Sequence, residues 1–192
     1  MRIITALLAL LLLAGCQPPP PRPTFADLRF TGEPPIRLDV AATEVRVDYR
    51  APMQAPNVEH LFPVTISRAA ENWAHDRLLA AGRSNRAVFV IRTASATEVA
   101  LPKSEGIKGA FTTEPTQRYD LRLEASLQIL DERGIAVRTA NGTAVRSQSL
   151  LEGITPNERE QAWYDMTKAL MADFDQQMTA EIRGNFGLYY VR

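Results

Sequence analysis

Histidine, cysteine and carboxylate side chains are the first places to look for chemistry, and this chain offers few of them in useful arrangements. Its 192 residues contain two histidines, His60 and His75, and one cysteine, Cys16. With no further cysteine to join the histidines, no familiar zinc-ligand spacing is present. Glu59 beside His60 is a pairing that can move a proton. The surrounding run Asn57–Pro63 reads instead as a structured connection, with Leu61 and Phe62 as a hydrophobic staple and His60 bonded to backbone. His75 and Asp76 fall away from the apolar stripe of their helix, which predicts solvated surface. Trp73 and Arg77, four residues apart, suit a cation–π stack. No nucleophile elbow, phosphate loop, H-E-x-x-H run or calcium-loop spacing is present. The expectation is a protein that is not an enzyme, with no catalytic residue, no metal and no cofactor.

Cys16 is the exception, because of what precedes it. Met1-Arg2 leads into an apolar run from Ile3 to Leu13 broken only by Thr5, then Ala14-Gly15 before the cysteine. A basic start, a short apolar core and small residues before a break make a secretory signal peptide over residues 1–15. The run is short of the roughly 20 residues a membrane span takes. Leu13-Ala14-Gly15-Cys16 resembles the lipobox of bacterial lipoproteins, which signal peptidase II cleaves. The resemblance implies cleavage after Gly15, a diacylglycerol on the Cys16 sulfur and a third acyl chain on its amino group. Gln17, which is not the Asp of the inner-membrane retention pattern, then implies sorting to the outer membrane. Each buried methylene contributes about 0.8 kcal/mol, so two or three chains hold where one would not.

Charge and composition narrow the partners. Lys and Arg number 22 against 22 Asp and Glu; loss of Arg2 with the signal peptide leaves 21 against 22, a net charge of −1. That balance lacks the basic excess of a nucleic-acid binder. It also lacks a polybasic patch, so membrane attachment falls to the acyl chains. Seven of the 13 prolines precede Ile36, and Pro18–Pro23 predicts a stiff extended tether within residues 16–35. Phe25, Leu28 and Phe30 interrupt its polarity and offer groups that could dock on the domain.

The elements that follow, residues 36–192, form one domain. Ile36, Leu38 and Val40, then Val45, Val47 and Tyr49, alternate as strand around a bend at Ala41–Glu44. Ile66, Ala70, Trp73, Ala74, Leu78 and Ala81 make a helical stripe over 65–81, capped by Thr65 and ended by Gly82 in the left-handed conformation. Ala87–Ile91 is a strand core that can run on to Leu101. Tyr119–Ile129 alternates most cleanly, turns at Asp131–Gly134 and returns over Ile135–Ser149. Thr155-Pro156-Asn157-Glu158 opens a last helix carrying Trp163, Met166, Leu170, Phe174, Met178 and Ile182 on one stripe. The fold class expected is α+β, in the order β-α-β-β-β-α. It is a two-layer sandwich of a mainly antiparallel four-stranded sheet with two helices on one face.

With its lipobox and this order of elements, the chain resembles small proteobacterial envelope lipoproteins. The order is similar to that of the auxiliary lipoproteins of ABC-type lipid-transport systems. Asn57–Pro63, Trp73–Leu78 and Glu152–Trp163 look like segments of uncharacterised lipoproteins. The resemblance implies an outer-membrane-anchored lipoprotein facing the periplasm, an accessory or docking module with an envelope protein as partner. A lipid-tethered carrier of a small ligand or lipid, or a periplasmic hydrolase, is the alternative. Partner contact is assigned to the connection from Lys103 to Thr116, where Ile107 and Phe111 stand among polar residues. Such side chains either fold back onto the domain or await a partner.

Overall fold

In the computed structural model, which describes residues 24–102 and 115–191, the first alternating run does not remain one strand. It divides into β1 (Ile36–Leu38) and β2 (Ala42–Val47), which enter different sheets. The chain continues through α1 (Ile66–Arg77), β3 (Leu78–Ala80), β4 (Arg86–Ala100), β5 (Pro115–Leu130) and β6 (Ala136–Leu151). It closes with α2 (Pro156–Asn185) and β7 (Tyr190–Val191). The larger sheet has the order β2-β4-β5-β6, with β2 parallel to β4 and the remaining pairs antiparallel. A second sheet, β3-β1-β7, was not expected. Its strands are two or three residues long, too short to show a period of their own. The order β-α-β-β-β-α therefore describes the larger sheet and the helices and omits the smaller sheet.

Both helices meet the larger sheet at one ring. Trp73 of α1 lies 5.3 Å from Phe89 of β4, and Phe174 of α2 lies 6.1 Å from it edge-on. Trp73 and Phe174 touch each other at 5.2 Å, so aromatic rings fill the space between helices and sheet. The six stripe residues from Trp163 to Ile182 are all buried, as their spacing predicted. Along the middle of β6 the inward positions Ala140, Gly142 and Ala144 are all small. A Cβ on Gly142 would stand 2.7 Å from the Phe174 ring and 3.0 Å from Met178 Cε. The absence of that atom lets α2 lie close against the strand. The Thr143 N–H, on the outer edge of the sheet, donates to Gln177 Oε1 at 2.9 Å. A helix side chain thus occupies an edge group that would otherwise invite another strand.

The helix ends follow the sequence with one correction. Thr65 Oγ1 accepts from the Arg68 N–H, and Thr155 with Glu158 completes a reciprocal capping box. Gly82 is not a left-handed cap. Helix α1 ends at Arg77 and passes directly into β3. A Cβ on Gly82 would lie 2.6 Å from the Asp39 carbonyl carbon and from the Val40 nitrogen. Glycine is needed there for close passage of two backbones, tied by the Gly82 N–H to Val40 O at 2.9 Å.

Two further expectations about α1 give way. Trp73 and Arg77 do not form the anticipated stack; both donate to Asp175 of α2, Trp73 Nε1 at 2.7 Å and Arg77 Nε at 2.9 Å. Arg77 is buried and also reaches Pro34 O and Thr179 Oγ1. Asp76 is not solvated surface: its side chain is 4% exposed beneath Arg29.

Candidate functional site

The residues to which the sequence assigns function, Gly15, Cys16 and Gln17 together with Ile107 and Phe111, lie outside the described residues. The described residues offer three other features: a docked N-terminal arm, a small pocket at the start of α1 and the solvated face of the larger sheet.

The arm comprises residues 24–35, which run along α1. Phe25 meets Tyr164 of α2 at 5.2 Å, and Asp27 pairs with Arg68 at 3.3 Å. Leu28 is buried in the core, and its carbonyl accepts from Asn72 Nδ2 at 3.1 Å. Asp76 then accepts from both the Nε and an Nη of Arg29 and from the Phe30 N–H. The apolar residues that punctuate the tether are thus attachment points. Hydrogen bonds from the Arg29 guanidinium, and then from the Phe30 amide, hold the Asp76 carboxyl below the usual carboxylate range. The residue order on the arm matches the residue order on α1, so the direction in which the chain enters the domain is fixed.

At the N-terminal end of α1, a pocket of about 320 Å³ is lined by Tyr49, Met53, Glu59, His60, Thr65 and Ser67, among others. It contains the Glu59–His60 pair that the sequence singled out. Glu59 is 3% exposed and both its oxygens are occupied. Tyr49 Oη donates to Oε1 at 2.7 Å, while Asn57 Nδ2 and the Ala96 N–H approach Oε2 at 3.4 and 3.2 Å. Burial, and then the bond to Glu59, push the Tyr49 hydroxyl well above the tyrosine range, so it remains a donor. The carboxylate joins the 57–61 connection to strand β4 and to Tyr49. His60 departs from expectation: its Nδ1 is buried without a hydrogen-bond partner rather than bonded to backbone. Phe62, the second half of the expected staple, stacks on Trp163 of α2 at 4.9 Å and 7°, while Leu61 remains exposed.

The sheet face turned from the helices carries charge pairs that satisfy one another. Asp120 accepts from Arg118 and from Ser147 Oγ at 2.5 Å, and Glu124 accepts from Arg122 and from Thr93 Oγ1 at 2.9 Å. The Ser147 hydroxyl, then Arg118, lowers the Asp120 carboxyl; Arg122, then Thr93, lowers that of Glu124. An open groove of about 320 Å³ runs between Ser95, Asp120, Val145 and Ser147. No cluster of three His, Cys, Asp or Glu side chains suited to a metal ion occurs among the described residues. Among the same residues, no helix is long and apolar enough to cross a membrane.

No protein-family model matches the chain, and no curated protein is similar to it in sequence. Among solved structures it is similar to a minor lipoprotein from Acinetobacter baumannii, at 18% identity and a TM-score of 0.40, over 76% of this chain and 92% of that one. It is also similar to a Xanthomonas campestris protein of the family DUF330, at 8% identity and a TM-score of 0.33, over 88% of this chain and 91% of that one.

Proposed function

We propose that the chain is an outer-membrane lipoprotein, anchored through acylated Cys16 and facing the periplasm, that serves as a non-enzymatic accessory or docking module for an envelope protein. The observation that carries this reading is the docked arm. Among the described residues the first contact of the arm with the domain is Phe25 on Tyr164, nine residues after the lipobox cysteine. At no more than about 3.5 Å per residue, those nine steps span at most about 32 Å. A domain on such a leash is confined to the membrane surface.

The condition of the pocket supports a role without catalysis. Glu59, its one carboxylate, is committed through both oxygens to holding the fold, and the space between helices and sheet is occupied by Trp73, Phe89 and Phe174. A carrier would need that space open. Fractionation of cells expressing Cys16→Ser tests the reading. The wild-type chain is expected in the outer membrane and the variant outside it. Retention of the variant in outer membranes after a high-salt wash would overturn lipid anchoring.

A further inference from the structure

Strand β6 is one edge of the larger sheet, and its 16 residues pair with β5 alone. The Thr143 N–H points away from β5, to Gln177 Oε1. Outward and inward backbone groups alternate along an antiparallel strand, so Val145, Ser147, Ser149 and Leu151 continue the outward row that Thr143 marks. Past Thr143 the cover ends. Among the described residues no hydrogen bond reaches the outward backbone groups of Val145, Ser147 or Ser149. Sheet edges are commonly blunted by lysine, another charge or proline, and these four positions carry none of them. Instead Val145 is 58% exposed and Leu151 49%.

The row is complementary to itself. Set a second copy of β6 antiparallel to the first, with Gln148 beside Gln148 on the two-fold axis. Val145 then faces Leu151 of the second copy and Ser147 faces its Ser149, each match occurring twice. Apolar side chains meet apolar ones and small hydroxyls meet each other. Each pair exchanges two backbone hydrogen bonds, about eight over the four pairs. Arg146, already joined to Asp173, falls opposite Leu150 and meets no like charge. Thr143 falls opposite Gly153, beyond the end of the strand, so Gln177 covers the edge only where a second strand does not reach. A shift of two residues in either direction breaks the Val145–Leu151 match, setting Leu151 against Thr143 or Ser147. We infer that two copies of the chain join edge to edge through Val145–Leu151, making their larger sheets continuous. The inference stands apart from the anchor proposed above.

The chain from residue 16 onward, with Cys16→Ser removing its single thiol, tests this in solution. Its mass by sedimentation equilibrium is expected to rise from one chain to two as concentration increases. Val145→Lys puts a charge into the outward row on both copies and is expected to hold the chain single at every concentration, with an unchanged circular dichroism spectrum. Ser149→Lys, in the same row, gives the same reading should Val145→Lys fail to fold. Gln148→Cys reads the register. Gln148 meets its own copy in a non-hydrogen-bonded pair, where Cα atoms stand about 4.5 Å apart, within the reach of a disulfide. On oxidation Gln148→Cys is expected to link two chains faster than Leu188→Cys, although Leu188 is 95% exposed. Linkage no faster than at 188, or a dimer left intact by folded lysine variants, would overturn the inference. So would a chain that stays single throughout, which would leave the edge to a strand of another protein.

Discussion

Arg29 grips Asp76 through two guanidinium nitrogens across 47 positions of sequence, over a carboxylate that is 4% exposed. The contact fastens the last stretch before the domain to the C-terminal turn of the domain's first helix. Asp76→Asn is expected to loosen residues 24–34 without unfolding the rest, read as faster amide exchange confined to the arm. The same carboxyl sets a pH limit. Its folded-state pKa lies below the unfolded value of about 3.9, so its contribution is present above that value and lost as pH falls through the folded pKa. Arm exchange in the wild type is expected to rise below about pH 4, and Asp76→Asn is expected to flatten that rise. Unchanged arm exchange in the variant at pH 7 would show that the contact holds nothing.

The Glu59 pocket separates a structural acid from a dispensable base. Glu59→Ala strands the donors on Tyr49 and Ala96 and is expected to cost about 2–3 kcal/mol in urea unfolding. His60→Ala removes a ring nitrogen that has no partner, so it is expected to cost less than Glu59→Ala and to leave the cellular role intact. A null phenotype from a normally folded His60→Ala protein would instead reveal a working histidine.

Gly142 sets how closely α2 approaches the sheet. Gly142→Val places a branched side chain where the Phe174 ring already stands 2.7 Å from a Cβ, and overpacking of this kind costs about 1–3 kcal/mol. Gly153→Val, at a position with open space but φ 79°, serves as a control for backbone strain alone. A smaller loss at 142 than at 153 would show that α2 moves aside freely.

We propose that partner contact falls on Ile107 and Phe111, which lie outside the described residues. The double change Ile107→Ser and Phe111→Ser is expected to abolish partner capture while leaving the melting temperature nearly unchanged. A large fall in melting temperature would make both residues part of the core.

Long periodic elements were legible in the sequence and contacts between distant segments were not. The β5 alternation and the α2 stripe each run far enough for one face to be assigned, and both are buried as spaced. The capping residues Thr65 and Thr155 act within three positions, so local sequence reveals them. Arg77 shows the opposite case. Its partners Asp175 and Thr179 lie about a hundred residues away, and nothing local distinguishes a buried arginine from a stacked one. Gly82 has a turn-like setting, yet its role depends on Asp39 and Val40 passing beside it. Glu59 was visible as a polar residue next to a histidine. Its commitment to Tyr49 and Ala96 required the fold.

The anchor itself is tested most directly by the mass of the N-terminal peptide of the protein purified from membranes. Trypsin is expected to release a peptide that begins at Cys16, lacks residues 1–15 and carries a thioether-linked diacylglycerol with a further acyl chain on the amino group. A peptide retaining residues 1–15, or one with an unmodified Cys16 thiol, would contradict the lipoprotein reading and leave the domain without its proposed attachment to the membrane.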